Sequence, residues 1–173
     1  MYIYRLFILI SCVVTSLGLF NTAIITPAFS QAGASEKQDY ATVIMYHRFG
    51  ESRYPTTNVS IEQFESHLEF IAQGDYTVAP LIDIIETLQS GGVVKDKTVA
   101  ITVDDAYLSV YTQAWPRLKE YGFPFTIFVA TDPVDNNLRN YMSWDQIREL
   151  LENGVAIGSQ TKSHPHMHRL SPI

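Results

Sequence analysis

Short apolar runs alternate with amphipathic segments along most of the chain after residue 40. Four of these runs are rich in β-branched and aromatic residues and are too brief for helices: 41–47, 99–103, 124–130 and 155–159. Such runs predict strands that are buried on both faces, as in a parallel sheet. Between the runs, apolar residues recur at helical spacing, as at Phe64, Leu68 and Ile71. This order predicts βα units with right-handed crossovers, and therefore an α/β fold.

Polar residues mark where the helices begin and end. Ser60 is predicted to cap one helix, with Gln63 three positions later as in a capping box. Ser143 is predicted to cap a later helix. Pro116 falls inside the helical pattern of 108–121 and predicts a break or a kink there. Polar stretches that predict loops lie at 48–57 and 132–140.

The first 30 residues have the pattern of a secretory signal peptide. Arg5 precedes an uncharged apolar run at 6–20, and small residues near position 30 offer cleavage sites. An uncleaved membrane anchor and lipidation at Cys12 are the alternatives. Residues 31–40 predict a polar linker, and 41–173 predict the folded domain. Each alternative places the domain outside the cytoplasm: secreted, periplasmic or in the cell envelope, with membrane contact only through an uncleaved N-terminal segment.

Composition narrows the class of protein. A chain of 173 residues that is 46% apolar, with ten Tyr and nine Phe, fits one globular domain with a real core. The formal charge of -6 and the absence of a basic cluster argue against a nucleic-acid partner. A single cysteine excludes an internal disulfide.

The run at 99–103 ends in two adjacent carboxylates, Asp104 and Asp105. Like charges and burial both oppose ionisation there, and a bound cation is the simplest group that offsets that cost. Because successive strand side chains point opposite ways, one aspartate can hold a metal while the other handles a proton. The alternative is a strand-to-helix turn in which an aspartate caps the helix.

Other polar residues fall at the same edge of the predicted sheet, where the chemistry of such folds gathers. His47 ends the first run and Thr131 follows the third; a single His at a strand end is more often structural than a ligand. Past the fourth run, three imidazoles lie within five residues: His164, His166 and His168. Imidazole with carboxylate is the ordinary ligand set of a catalytic divalent metal, although a His-rich tail can also be adventitious.

These motifs resemble those of the polysaccharide deacetylase family, the nodulation-type carbohydrate esterases. The stretch 43–48, VIMYHR, resembles the opening strand of the subgroup that includes poly-β-1,6-N-acetylglucosamine deacetylases. The stretch 99–107 is similar to the family's first motif, usually Thr-Phe-Asp-Asp-Gly, and 123–131 to its next strand. The stretch 142–170 resembles the second motif with the helix before it. The resemblance implies an incomplete (β/α) barrel containing about the first four to five βα units.

The same resemblance implies metal-dependent hydrolysis of N-acetyl groups, or less often O-acetyl groups, on an amino-sugar polysaccharide. By family role, Asp104 is the general base, and Asp105 and His164 are metal ligands with zinc the expected ion. Such a metal lowers the pKa of water and polarises the acetyl carbonyl. His47 and Thr131 are expected to contact the substrate.

The chain departs from the family pattern in three ways. Gln160 stands where the second motif has its first His, and Gln is a weaker zinc ligand than imidazole. Ala106 replaces the usual Gly. The family's later Asp-Trp and Leu-x-His motifs and its pocket Arg do not occur in the sequence. A truncated deacetylase domain of doubtful activity is therefore expected, with a non-catalytic carbohydrate-binding pseudoenzyme and a membrane-tethered interaction module of an envelope assembly as the alternatives.

Overall fold

A computed structural model describes residues 40–170 of the chain. The predicted signal peptide and nearly all of the predicted linker lie outside the described residues, so those interpretations stay predictions. Within 40–170, no helix combines the length and apolarity that crossing a membrane requires.

Strands and helices alternate along the described residues. The strands are β1 (Thr42–Tyr46), β2 (Arg48–Phe49), β3 (Asn58–Val59), β4 (Thr77–Val78), β5 (Thr98–Asp104), β6 (Thr126–Val129) and β7 (Ala156–Ser159). The α-helices are α1 (Ile61–Gln73), α2 (Leu81–Gln89), α3 (Trp115–Tyr121), α4 (Thr131–Asp135) and α5 (Trp144–Glu152). A π-helical turn (Val110–Ala114) precedes α3, and a 3₁₀ turn (Met167–Arg169) follows β7.

The main sheet is parallel and has the order β1-β5-β6-β7, with β4 also paired to β5. Strand β5 is buried on both faces from Thr98 to Val103, as its unbroken apolar pattern predicts. The sheet does not close on itself within the described part of the chain. This architecture confirms the expected α/β class and the incomplete barrel.

The main core lies between the sheet and the helices on it. The predicted apolar stripe of α1 is buried: Phe64 and Leu68 are fully enclosed, and Ile71 nearly so. Burying a side chain of this size contributes about 1.5–3 kcal/mol. The strands of the main sheet are parallel, so their carboxyl ends lie at one edge of the sheet, and packing against this core holds them there.

Both predicted helix caps form. Ser60 Oγ accepts a hydrogen bond from the Gln63 N–H, and Gln63 Oε1 accepts one from the Ser60 N–H. Ser143 and Gln146 form the same reciprocal pair at the start of α5. Each box satisfies two backbone donors that a helix otherwise leaves without partners.

The structure corrects the two loop predictions and defines the effect of Pro116. Helix α4 occupies the first part of the predicted loop at 132–140, and β2 and β3 pair across the predicted loop at 48–57. These elements are too short to show a periodicity in the sequence. At Pro116, which has no N–H, the helix widens into the π turn just before it, where the Trp115 N–H donates to the Val110 carbonyl.

Candidate functional site

Asp104 ends β5 and faces His47, which follows β1. The two strands pair in parallel with Tyr46 opposite Val103, so the next residue of each lies at the same edge of the sheet. His47 Nε2 is 3.9 Å from Asp104 Oδ2. The Asp104 side chain is only 16% exposed. The structure thus brings the predicted base and the first predicted substrate contact together.

The surroundings of Asp104 act in both directions on its pKa. Burial raises the pKa most, His47 lowers it, and the neighbouring charge of Asp105 raises it again. His164 and a hydrogen bond from Gln160 lower it further, but the net direction is upward. A carboxylate whose conjugate acid has a raised pKa is a stronger proton acceptor than an ordinary aspartate.

Asp105 begins a tight turn with a left-handed backbone. Its φ is 73°, and that of Ala106 is 51°. Residues other than Gly rarely adopt this region of backbone conformation, and each such residue destabilises the fold by on the order of 1–3 kcal/mol. Tertiary contacts hold the turn: the Asp105 N–H donates to the Phe128 carbonyl at 3.0 Å, and the Met142 N–H donates to the Ala106 carbonyl at 2.9 Å. The left-handed backbone at Ala106 is a conformation that Gly adopts freely, which accounts for the Gly expected there.

His164 reaches the aspartates from the segment after β7. Its Nε2 lies 3.9 Å from Asp105 Oδ1, and its side chain is 55% exposed. The His164 N–H donates to Thr161 Oγ1 at 3.1 Å, which fixes the turn that carries the ring. His166 and His168 pack against each other, with ring centroids 5.8 Å apart. Within this segment, His164 is therefore the imidazole that an ion-pair contact places beside Asp105.

Gln160 and Thr131 also lie at this edge of the sheet. Gln160 directly follows β7, and its Oε1 accepts a hydrogen bond from the Asp105 N–H at 3.1 Å. Thr131 is the first residue of α4, and its N–H donates to the Thr161 carbonyl at 3.4 Å. Thr131 thus borders the segment that carries His164. Its role as a substrate contact stays a prediction.

The donor set fits a divalent metal only in part. Two ligands of one tetrahedral zinc ion are about 3.4 Å apart, so the 3.9 Å between Asp105 and His164 suits a shared ion after a small adjustment. Residues 40–170 contain no group of three or more His, Cys, Asp or Glu placed to hold a metal. Gln160 occupies the place where a third such ligand is expected. Asp105, His164 and Gln160 as ligands stay predictions.

A cluster of residues around Arg48 adjoins the site and was not predicted from the sequence. The Arg48 guanidinium is sandwiched between two rings, with its carbon 3.9 Å from the Tyr54 centroid and 3.3 Å from the Tyr107 centroid. Glu51 pairs with Arg48 at 2.9 Å and accepts a hydrogen bond from Ser109 Oγ at 2.6 Å. This Arg48 cluster joins β2 to the residues just after Asp105. No local pattern predicts the whole cluster, because Ser109 lies 58 positions from Glu51 in the chain.

Comparison with protein families agrees with this geometry. Residues 91–173 match the family model described as Polysaccharide deacetylase. This match covers β5, both aspartates and the segment with His164. This match confirms the family resemblance that the sequence motifs carry.

Two curated relatives cover most of this chain. The Bacillus subtilis (strain 168) protein YxkH is 27% identical over 138 residues, which are 80% of this chain and 48% of that relative. A poly-β-1,6-N-acetyl-D-glucosamine N-deacetylase of Staphylococcus aureus (strain MRSA252) is 27% identical over 153 residues, covering 78% of this chain and 51% of that relative. The chain thus spans about half the length of the curated relatives it matches.

Solved structures share the fold. IcaB from Ammonifex degensii superposes with a TM-score of 0.62 at 30% identity, covering 71% of this chain and 53% of that one. The Streptococcus pyogenes deacetylase PplD superposes with a TM-score of 0.65 at 22% identity, covering 76% of this chain and 61% of that one. At that lower identity the second likeness shows the fold alone.

Proposed function

We propose that this chain hydrolyses N-acetyl groups on an acetylated amino-sugar polysaccharide outside the cytoplasm, with O-acetyl groups as the less favoured alternative. The observation that carries the proposal is the convergence of Asp104, Asp105 and His164 at one edge of the sheet. The family supports the reaction class, and the relative named as a poly-β-1,6-N-acetyl-D-glucosamine N-deacetylase supports the substrate class.

The chain's own residues divide the reaction between them. Asp104 accepts the proton of the attacking water, and its raised pKa suits it to that task. His47, 3.9 Å from Asp104, orients the carboxylate. When bound by Asp105 and His164, a divalent metal such as zinc supplies Lewis-acid polarisation of the acetyl carbonyl. The products are acetate and a free amine, which takes up a proton as the C–N bond breaks.

Acetate release from a poly-β-1,6-N-acetylglucosamine oligosaccharide tests the proposal. With zinc present, we expect Asp104→Asn to lower the rate at least about 100-fold, because the proton acceptor is lost. The control is Asp145→Asn, an exposed carboxylate on α5 that leaves the rate unchanged. Equal rates for the wild-type protein and Asp104→Asn would contradict the assignment of the base.

A second candidate is a carbohydrate-binding protein without turnover. It is favoured by Gln160, whose amide replaces an expected imidazole and hydrogen-bonds the backbone of Asp105. The same oligosaccharide distinguishes the two candidate functions. If the protein binds the glycan but releases no acetate in the presence of zinc, cobalt or nickel, the result supports a carbohydrate-binding protein without turnover.

We also propose that the chain is exported. Residues 1–32, fused to a reporter that is active only outside the cytoplasm, are expected to deliver reporter activity. The N-terminus of the mature chain then lies near Gln31 or Gly33. An intact N-terminus in the membrane fraction would support an uncleaved anchor instead.

A further inference from the structure

The Gln160 carboxamide joins both aspartates of the site. Its Oε1 accepts a hydrogen bond from the Asp105 N–H at 3.1 Å. Its side chain also lies within hydrogen-bonding reach of the Asp104 carboxylate, and this proximity lowers the pKa of that group. One neutral side chain thus contacts a backbone donor and a carboxylate in consecutive residues.

The two partners fix the orientation of the amide. A backbone N–H can only donate, so the atom that faces Asp105 is the carbonyl oxygen of Gln160. The amino group then points the other way and donates to Asp104, whose ionised carboxylate can only accept. Rotating the amide by 180° would place its NH₂ group against the Asp105 N–H, which is also a donor. It would also place its carbonyl oxygen against the Asp104 carboxylate, which is also an acceptor.

The backbone at Asp105 is strained, and the hydrogen bond to Gln160 helps to hold it. Asp105 and Ala106 both have left-handed φ values, of 73° and 51°, without being glycine. The Asp105 N–H already donates to the Phe128 carbonyl at 3.0 Å, and Gln160 adds a second acceptor to the same N–H. A strained backbone conformation persists where several surrounding contacts hold it at the same time.

We propose that Gln160 is a positioning residue that clamps Asp104 and Asp105, and that it supplies no ligand to a metal ion. The second half of this inference rests on the proposed function, which places the ion between Asp105 and His164. With Gln160 occupied by hydrogen bonds, the described residues offer the ion two protein ligands. Such a site binds its metal weakly and exchanges it readily.

The clamp is tested without metal by hydrogen exchange of the Asp105 amide in the full chain. Gln160→Met keeps the length of the side chain and removes both hydrogen bonds. We expect the Asp105 amide to exchange about three- to tenfold faster in this variant, the effect of losing one hydrogen bond. The Gln160 amide, which donates to the Val129 carbonyl at 2.9 Å, is the internal control for an intact β7. Unchanged exchange at Asp105 would overturn the clamp.

Cobalt titration of the same proteins tests the ligand set. We expect wild-type protein and Gln160→Met to bind cobalt with affinities within about threefold of each other, and Gln160→His to bind at least about tenfold more tightly. A new cobalt absorption band in Gln160→His alone would report the added imidazole. A loss of about tenfold or more in Gln160→Met would instead make Gln160 a ligand and overturn the second half of the inference. If no variant binds cobalt, the metal of the proposed function fails, and the exchange measurement alone decides the clamp.

Discussion

The two halves of the candidate site differ in how firmly they are held. The aspartate turn (Asp104–Tyr107) is largely buried, with Ala106 fully enclosed and hydrogen bonds to residues of β6 and of the segment before α5. The histidine loop (160–168) is largely exposed. Several of its hydrogen bonds stay within the loop or with the adjoining Ser159, as from the His164 N–H to Thr161 Oγ1 and from the Thr161 N–H to Ser159 Oγ.

This difference suits the two roles that we propose for these residues. A base and its neighbouring carboxylate need a fixed geometry, which a packed core provides. A metal ligand on an exposed loop can adjust as the ion binds, and its loss leaves the core unchanged. Substitutions behind the aspartate turn are therefore expected to change stability, and loss of His164 from the histidine loop is expected to change metal affinity.

The largest effect is expected at Arg48, which packs against Tyr107 of the aspartate turn. Arg48→Ala removes a buried guanidinium from two rings and leaves Glu51, only 22% exposed, without its cationic partner. We expect the free energy of unfolding to fall by about 3 kcal/mol, as when a buried ion pair loses one member. Urea denaturation monitored by circular dichroism measures this change.

Arg117 provides the matched control. It pairs with the half-exposed Glu65 at 2.8 Å on the surface. Arg117→Ala is expected to cost less than about 1 kcal/mol, as exposed pairs do. Equal losses in the two variants would mean that the Arg48 cluster does not hold the aspartate turn more firmly than the surface.

A change of intermediate size is expected in the histidine loop. His164→Ala removes the imidazole beside Asp105, so we expect zinc affinity to fall at least about tenfold while the melting temperature of the metal-free protein stays the same. His166→Ala, in the same loop, is expected to change zinc affinity less than about threefold. Calorimetric titration measures both. Equal losses at the two positions would favour a nonspecific His cluster.

The smallest effect concerns alkaline pH and a tyrosine beneath the site. Burial raises the pKa of Tyr46 to about 12, and its hydroxyl hydrogen-bonds His67 Nδ1 at 3.0 Å. In the unfolded chain a tyrosine ionises near pH 10, so between about pH 10 and 12 the unfolded state loses a proton that the folded state keeps. The contribution of Tyr46 to the free energy of unfolding is therefore fully present below pH 10 and declines as the pH rises above 10.

Tyr46→Phe removes this contribution. We expect the variant to show a smaller decline in unfolding free energy between pH 10 and about 12, although the tyrosine hydrogen bond is lost at every pH. Denaturation curves across this range compare the slopes. The control is Tyr121→Phe, which alters an exposed tyrosine at the end of α3 and is expected to retain the wild-type decline. Parallel curves for Tyr46→Phe and wild-type protein would show that Tyr46 ionises as readily folded as unfolded.

The sequence predicts those features that depend on neighbouring residues. The strand runs, the capping box at Ser60 and the helix cap at Ser143 are local patterns, and the structure has them where they are predicted. Asp104 and His47 are brought together as the parallel βα order implies, because both follow strands that pair. The family resemblance is confirmed by its model over 91–173.

Features that depend on distant residues could not be predicted. The hydrogen bond from the Asp105 N–H to Gln160 joins residues 55 positions apart, and nothing near Gln160 indicates it. The stacking of Arg48 on Tyr107 likewise requires the folded sheet. Helix α4 is only five residues long and contains Pro133, so its sequence is typical of a loop.

Strand β1 has a consequence for how the protein behaves in concentrated solution. Among the residues that the structure describes, β1 pairs only with β5, and its Val43 and Met45 are 49% and 59% exposed. An apolar strand with a free edge can pair with a second molecule. The net charge of -6 opposes this association by mutual repulsion, and salt screens that repulsion. Solubility should therefore decrease with ionic strength and be lowest near pH 5.2, where the molecules no longer repel one another.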